Sequence, residues 1–213
     1  DASHLSDHVP ANVDPVPAPE EAKLAEALAA IAGAEKPVIY GGGGIGIADA
    51  ADAFRQFVDA TKIPTVLTLR GLGALPAGHP HYLGMLGMHG TRAANMAVQE
   101  CDLLIVIGAR FDDRATGNLA EFAPFARALH VDADAYEIGK LRTADIAVPG
   151  DVATSLKALT AARSTCDEWR KRCVGNRERF GFRYDAPGTD IYAPGLLKRL
   201  SEVAPADAIV ACD

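Results

Sequence analysis

Apolar residues recur in this chain as short unbroken runs, not as the alternation of a half-solvated sheet. DLLIVIG (102–108) sets five large aliphatics, Leu103 to Ile107, in front of a glycine. KPVIY (36–40), IPTVLTL (63–69), ARALHVDA (126–133) and the shorter ADIAVPG (144–150) share that character. Strands covered on both faces carry such runs. Between them the apolar spacing becomes helical. EEAKLAEALAAIAG (20–33), ADAADAFRQFVDAT (48–61), residues 91–100 and VATSLKALTAA (152–162) read as helices. Phe54, Phe57 and Val58 share one helical face, and Gly33 suits a C-terminal cap. Strands alternating with helices predict an α/β, Rossmann-like open sheet, mainly parallel, of about six strands with helices on both faces. Right-handed crossovers then gather every strand's carboxyl end on one edge, where open α/β sheets place ligands.

The remaining segments break this rhythm. Residues 1–19, with Pro10, Pro15, Pro17 and Pro19, read as a linker. GLGALPAGHPHYLGMLGMHG (71–90) reads as one long loop. STCDEWRKRCVGNRERF (164–180) is dense in charge and reads as a solvated helix, followed by a loop over 181–190. YAPGLLKRLSEVA (192–204) reads as a new helix and DAIVACD (207–213) as a new strand. The expected division is a linker at 1–19, one domain over 20–163, a second linker at 164–190, and a truncated start of another domain at 191–213. The polar start without an initiator Met agrees with a piece of a longer polypeptide.

Composition narrows the function classes. With 213 residues, 49% hydrophobic and 23% charged, the chain can build a sizeable core. A net charge of -7 and a pI near 5.3 argue against general binding to nucleic acid or anionic membranes. Cys101, Cys166, Cys173 and Cys212 form no C-x-x-C pair and match no zinc spacing, so they read as reduced structural thiols of a cytoplasmic protein.

Candidate chemistry collects at the strand ends. GGGGIG (41–46) contains G-x-G-x-x-G between a strand and a helix, which suits either a tight turn or a phosphate cradle at a helix N-terminus. A conventional NAD site wants an acid at the end of the next strand. Thr68, Leu69 and Arg70 stand there instead, which counts against hydride-transfer chemistry. After Gly108 and Ala109, Arg110 and Arg114 could neutralise a pyrophosphate. Asp112 and Asp113 could accept from ribose hydroxyls, steady those arginines, or cap a helix. Asp132 ends the following strand as a natural ribose ligand. Asp134 and Glu137 read as a capping box, and Asp151 closes the last strand after Gly150. Met85, Leu86 and Met88 are core plugs or the wall of a thin slot for a flat ring. His89 has no nucleophile beside it, and no catalytic residue is assigned.

YGGGGIG (40–46), TLRGLGALP (68–76), YLGMLGMHGTRAANMAVQECDLLIVIGARFDDRATG (82–117), HVDADAYEIGK (130–140) and PGDV (149–152) together resemble the catalytic subunits of the acetolactate synthase family. The resemblance covers nearly all of 20–163. It implies three α/β domains, of which 20–163 is the central, FAD-binding one and 191–213 begins the C-terminal one. Thiamine diphosphate and Mg²⁺ would be bound by the outer domains across a dimer interface. FAD would sit in the central domain without net redox use. The parent would join pyruvate to pyruvate or 2-oxobutyrate, releasing CO₂, at the start of branched-chain amino-acid synthesis. It would act as a homodimer or homotetramer with a separate small regulatory subunit. The piece alone would be inactive, because the glutamate that activates thiamine and the diphosphate motif lie outside it.

Residue by residue, the resemblance assigns Gly42, Gly43 and Gly44 to the FAD phosphates. It assigns Thr68, Leu69, Leu86, Gly87, Met88 and His89 to the flavin half. Gly108, Ala109, Arg110, Asp112 and Arg114 would hold the ribityl and pyrophosphate part. Asp132, Ala133, Asp151 and Val152 would flank the adenosine. Met88, Asp113 and Arg114 would border the substrate channel, where inhibitors bind. Arg70 departs from the Met or Lys common in relatives. The rival readings are a related carboligase such as glyoxylate carboligase, a stand-alone nucleotide-binding module, and an NAD-dependent enzyme with a deoxyhypusine-synthase or sirtuin type of sheet.

Overall fold

The fold is taken from a computed structural model, which describes residues 15–185, 191–205 and 207–211. Pro10 of the expected linker and Cys212 lie outside the described residues. Among the described residues six strands run β1 Pro37–Gly41, β2 Thr65–Leu67, β3 Tyr82–Met85, β4 Leu103–Ile107, β5 Arg127–Asp132 and β6 Ile146–Pro149. The helices are α1 Glu21–Gly33, α2 Gly44–Ile47, α3 Ala51–Thr61, α4 Arg92–Glu100, α5 Asp113–Thr116, α6 Val152–Leu159, α7 Asp167–Arg179 and α8 Ala193–Val203.

All five strand pairings are parallel, in the order β3-β2-β1-β4-β5-β6. The chain moves outward from β1 to β3, returns across the sheet, and moves outward again from β4. With right-handed crossovers, that reversal puts α3 and α4 on opposite faces. The contacts agree: α1, α3 and α6 pack together, and α4 packs with α7. The central strands β1 and β4 are buried along their whole length. Burying each such aliphatic side chain contributes about 1.5–3 kcal/mol before chain entropy is counted.

Several expectations change. Within the expected 71–90 loop, Tyr82–Met85 forms edge strand β3. Its apolar content is short and interrupted by Gly84, which has a φ of 112° and lies where the register with β2 shifts. Gly33 is the last helical residue of α1, and extended Ala34 ends the helix. Asp134 and Glu137 open no helix. Residues 135–139 form successive turns in which Asp134 Oδ1 accepts from the Tyr136 amide at 2.9 Å. Residues 207–211 form no strand, having no neighbouring strand to pair with among the described residues.

Two presumed connectors are packed against the domain. The Pro17 carbonyl accepts from the Asp151 amide at 2.8 Å, and Pro19 is buried. Helix α7 is charged but not fully solvated: Trp169 and Cys173 are buried, and the Trp169 indole donates to the Pro37 carbonyl at 3.0 Å. The Arg177 guanidinium donates to the carbonyls of His79, Pro80 and Tyr82 at 2.9–3.1 Å, tying α7 to the edge strand. Net charge hid a face in which two buried residues suffice.

Candidate functional site

Parallel strands in register bring the predicted strand ends to one rim. Gly41 pairs with Leu67 on one side and Ile107 on the other, and Ile107 pairs with Val131. Gly42–Gly44, Thr68–Arg70, Gly108–Arg114 and Asp132–Ala133 therefore emerge side by side. The loop after β3 joins them, because the Leu86 amide donates to the Leu67 carbonyl at 3.1 Å. The sheet turns its order around between β1 and β4, so the glycine loop and the arginine loop flank the crevice at the switch point.

The glycines divide by role. A Cβ on Gly42 would lie 2.2 Å from the Gly108 carbonyl oxygen, and one on Gly44 would lie 2.7 Å from the Gly108 Cα. These two are glycine because the β1 and β4 loops touch backbone to backbone. Their amides are already bonded, Gly42 to the Ile107 carbonyl at 2.9 Å and Gly44 to the Gly108 carbonyl at 3.0 Å. The Gly43 amide between them has no acceptor among the described residues. The helix that follows, α2, is a single turn, so it supplies little of the dipole expected behind a phosphate cradle. Positive charge on this rim comes from arginines instead.

Arg110 and Arg114 are exposed and make no ion pair among the described residues. An ion-pair network with Asp112 and Asp113 is therefore not formed. Asp112 caps α5 by accepting from the Arg114 amide at 3.2 Å, one of its three expected uses. Between the arginines the chain turns inward at Phe111, which is 3% exposed and has a φ of 57°. A bulky residue in left-handed backbone is unusual and costs about 1–2 kcal/mol. The reward is packing: the Phe111 ring meets Tyr40, Phe122 and His130 edge-on, with centroids 5.7, 6.2 and 5.6 Å away. Phe111 is thus the anchor that turns Arg110 and Asp112 outward. No spacing rule marks it, since its importance lies in contacts distant in sequence.

The β3 loop joins this structure from the other side. The Met88 amide donates to the Arg114 carbonyl at 3.0 Å. Gly87, at φ 95°, has no room for a side chain: a Cβ would come 2.4 Å from the same oxygen. The Asn95 amide brackets Gly87 from below, accepting from its N–H at 2.8 Å and donating to its carbonyl at 3.0 Å. Leu86 is a buried plug, whereas Met88 is 61% exposed, and Leu69 and Ile47 are exposed too, at 71% and 91%. His89 is exposed. Thr68 is largely buried and caps a 3-10 turn, its Oγ1 accepting from the Gly71 amide at 3.0 Å.

Asp132 keeps one carboxylate oxygen on its own turn, where Oδ1 accepts from the Asp134 amide at 2.9 Å. Its Oδ2 lies 4.0 Å from Nε2 of His130. Asp151 and Val152 are differently occupied. The Asp151 carboxylate caps α6 through the Thr154 amide at 2.7 Å and the Thr154 hydroxyl at 2.5 Å. Those bonds hold its pKa below the ordinary value. Val152 is in the core. A shallow depression of about 480 Å³ along α4 adjoins the β3 loop through Gly90 and Asn95, and another of about 370 Å³ lies beside α7. The rim is a better binding candidate, because it concentrates uncommitted donors. Among the described residues no group of three or more His, Cys, Asp or Glu is gathered for a metal, and no helix is long and apolar enough to cross a membrane.

Comparison with known proteins supplies the lineage. The chain is 53% identical to the acetolactate synthase isozyme 2 large subunit of Escherichia coli (strain K12) over 192 residues, covering 90% of this chain and 35% of that protein. It is 41% identical to the acetolactate synthase large subunit of Lactococcus lactis, covering 90% of this chain and 34% of that protein. Against a probable acetolactate synthase large subunit of Methanocaldococcus jannaschii the identity is 46%, covering 72% of this chain and 27% of that protein. The chain thus spans about a third of the length of these relatives. Residues 24–159 match the family described as thiamine pyrophosphate enzyme, central domain, and the chain belongs to that family.

Proposed function

We propose that this domain holds FAD along its carboxyl rim within an acetolactate synthase catalytic subunit. The observation that carries the reading is the pair Arg110 and Arg114, two exposed guanidinium groups without carboxylate partners among the described residues, carried by the loop that flanks the same switch-point crevice as the Gly43 loop. Such groups fit a pyrophosphate, which takes planar bidentate donors and backbone N–H groups together. From β2 to β5 the rim spans three strand spacings, about 14 Å, a length suited to an extended dinucleotide. Asp132 is placed for the adenosine ribose, with Ala133 beside it. Leu69 and Met88 offer apolar surface to the flavin half. Asp151 and Val152 support the adenosine end through backbone position only, since their side chains are otherwise engaged. FAD in this setting is a structural element and supplies no net redox chemistry.

The parent protein condenses pyruvate with pyruvate or 2-oxobutyrate, using thiamine diphosphate and Mg²⁺ held by domains outside this chain. That chemistry belongs to the cofactor, and the protein contributes position and electrostatics. Asp113 and Arg114, with Met88, wall the approach to the reacting centre. The full-length protein should form acetolactate from pyruvate only with thiamine diphosphate and Mg²⁺ present, and residues 1–213 alone should form none. Flavin titration of the full-length protein should show Arg110→Ala and Arg114→Ala weakening FAD binding. Acetolactate formation by the isolated chain, or undiminished FAD binding by both variants, refutes the reading.

A further inference from the structure

The rim's best-hidden feature lies one residue pair below it. Tyr40, Val106 and His130 form a register row across β1, β4 and β5, and the Phe111 ring sits over that row. His130 is 0% exposed, and neither ring nitrogen makes a hydrogen bond of full geometry, the Ala109 backbone offering the ring only a weak one. The Tyr40 hydroxyl is buried and unpartnered as well. Buried polar atoms are nearly always paired, because leaving one bare forfeits its hydration. A Leu or Met would fill this space without that cost. His130 and Asp132 stand on the same face of β5, two residues apart, with Nε2 and Oδ2 4.0 Å apart. This gap is too long for a hydrogen bond, yet the terminal torsion of an aspartate is a soft rotor that can close it. The other groups facing the imidazole are the Ala109 backbone and the Glu137 carboxylate.

We propose that His130 is a positioning residue for Asp132: its Nε2–H donates to the free Asp132 carboxylate oxygen from beneath the rim and holds that carboxylate for the ribose of a bound dinucleotide. This rests on the FAD reading of the rim. The neutral ring suits the role, since it adds a donor without adding a buried charge. The His130 side chain is fully buried and that of Asp132 only 15% exposed, so little water competes for the bond.

The test is a double-mutant cycle in the full-length protein, read as FAD affinity from quenching of flavin fluorescence. His130→Leu should weaken FAD binding about tenfold, the scale of one hydrogen bond to a charged group. His130→Gln, which retains a donor, should recover most of the loss. Adding His130→Leu to Asp132→Asn should weaken binding no further than Asp132→Asn does alone. Thermal unfolding of each FAD-free variant separates binding from folding, and His130→Leu should be at least as stable as the parent. If that variant fails to fold, His130→Met carries the same cycle. Wild-type affinity in His130→Leu, or losses that simply add in the double variant, overturns the proposal while leaving the FAD reading intact. A wild-type protein that takes up no FAD overturns both.

Discussion

Phe111 offers the sharpest test of how the arginine loop is held. Its side chain is almost fully buried among Tyr40, Phe122 and His130, so Phe111→Ala should cost about 3–5 kcal/mol of stability. The backbone adds a second, opposite expectation. Alanine inherits the φ of 57° and its cost of about 1–2 kcal/mol, whereas glycine adopts that conformation freely. Glycine also loosens the unfolded chain by about 0.5–1 kcal/mol. The balance makes Phe111→Gly equal to Phe111→Ala or more stable by up to about 1.5 kcal/mol, the reverse of the usual order of these residues. Urea unfolding reports this directly, because Trp169 is the single tryptophan and is buried against β1. A glycine variant clearly less stable than the alanine variant would remove the strained anchor from the account. A Phe111→Ala loss below about 1 kcal/mol would remove the packing as well.

Four further outcomes are expected. Trp169→Phe deprives the Pro37 carbonyl of its donor and should cost about 1–3 kcal/mol by circular dichroism, showing that α7 folds with the sheet. Arg177→Ala leaves three carbonyls without that guanidinium and should raise hydrogen exchange in β3 before it affects β4. Asp151→Ala removes the α6 cap and should cost about 0.5–2 kcal/mol at neutral pH. The Asp151 pKa is lowered in the fold, so this stabilisation is full above the unfolded value of about 3.9 and fades as pH falls through the folded one. The two proteins' stabilities should converge in acid. Burial lowers the His130 pKa, against smaller opposing effects from Asp132, the Ala109 backbone and Glu137. The unfolded chain therefore binds a proton first as pH drops below about 6.5, and stability falls with pH across that window. His130→Leu should flatten this part of the stability profile.

Unbroken aliphatic runs specify most of the architecture by themselves. Leu103–Ile107 and Val38–Tyr40 have no polar alternation and are too short for helices, which marks them as central strands of a doubly covered sheet. Strand–helix alternation then implied parallel pairing and a shared carboxyl edge. That edge made Gly43, Arg110 and Asp132 neighbours in expectation, and strand register makes them neighbours in space. The family, too, was legible, because its motifs are local words such as LGMLGMHG and GARFDDR.

Other features depended on contacts between distant segments. Tyr82–Met85 is a strand because β2 offers an edge, and its own glycine-broken sequence says otherwise. The Asp134 pattern expected to cap a helix closes turns, while Asp151, sixteen residues before Asp167, caps a real one because α6 has α1 and α3 to pack on. Helix α7 looked solvated by charge, yet Trp169 finds a carbonyl of β1 far away in the chain. Gly42 and Gly44 are required by the backbone of another loop, a constraint that no local pattern reveals. His130 and Phe111 are ordinary letters in sequence. Only folding puts one beneath Asp132 with its nitrogens poorly paired and turns the other inward against its own backbone. Local propensity and hydrophobic period are properties of neighbouring residues, whereas a poorly paired buried nitrogen or a strained anchor is defined by what tertiary packing brings, or fails to bring, beside it.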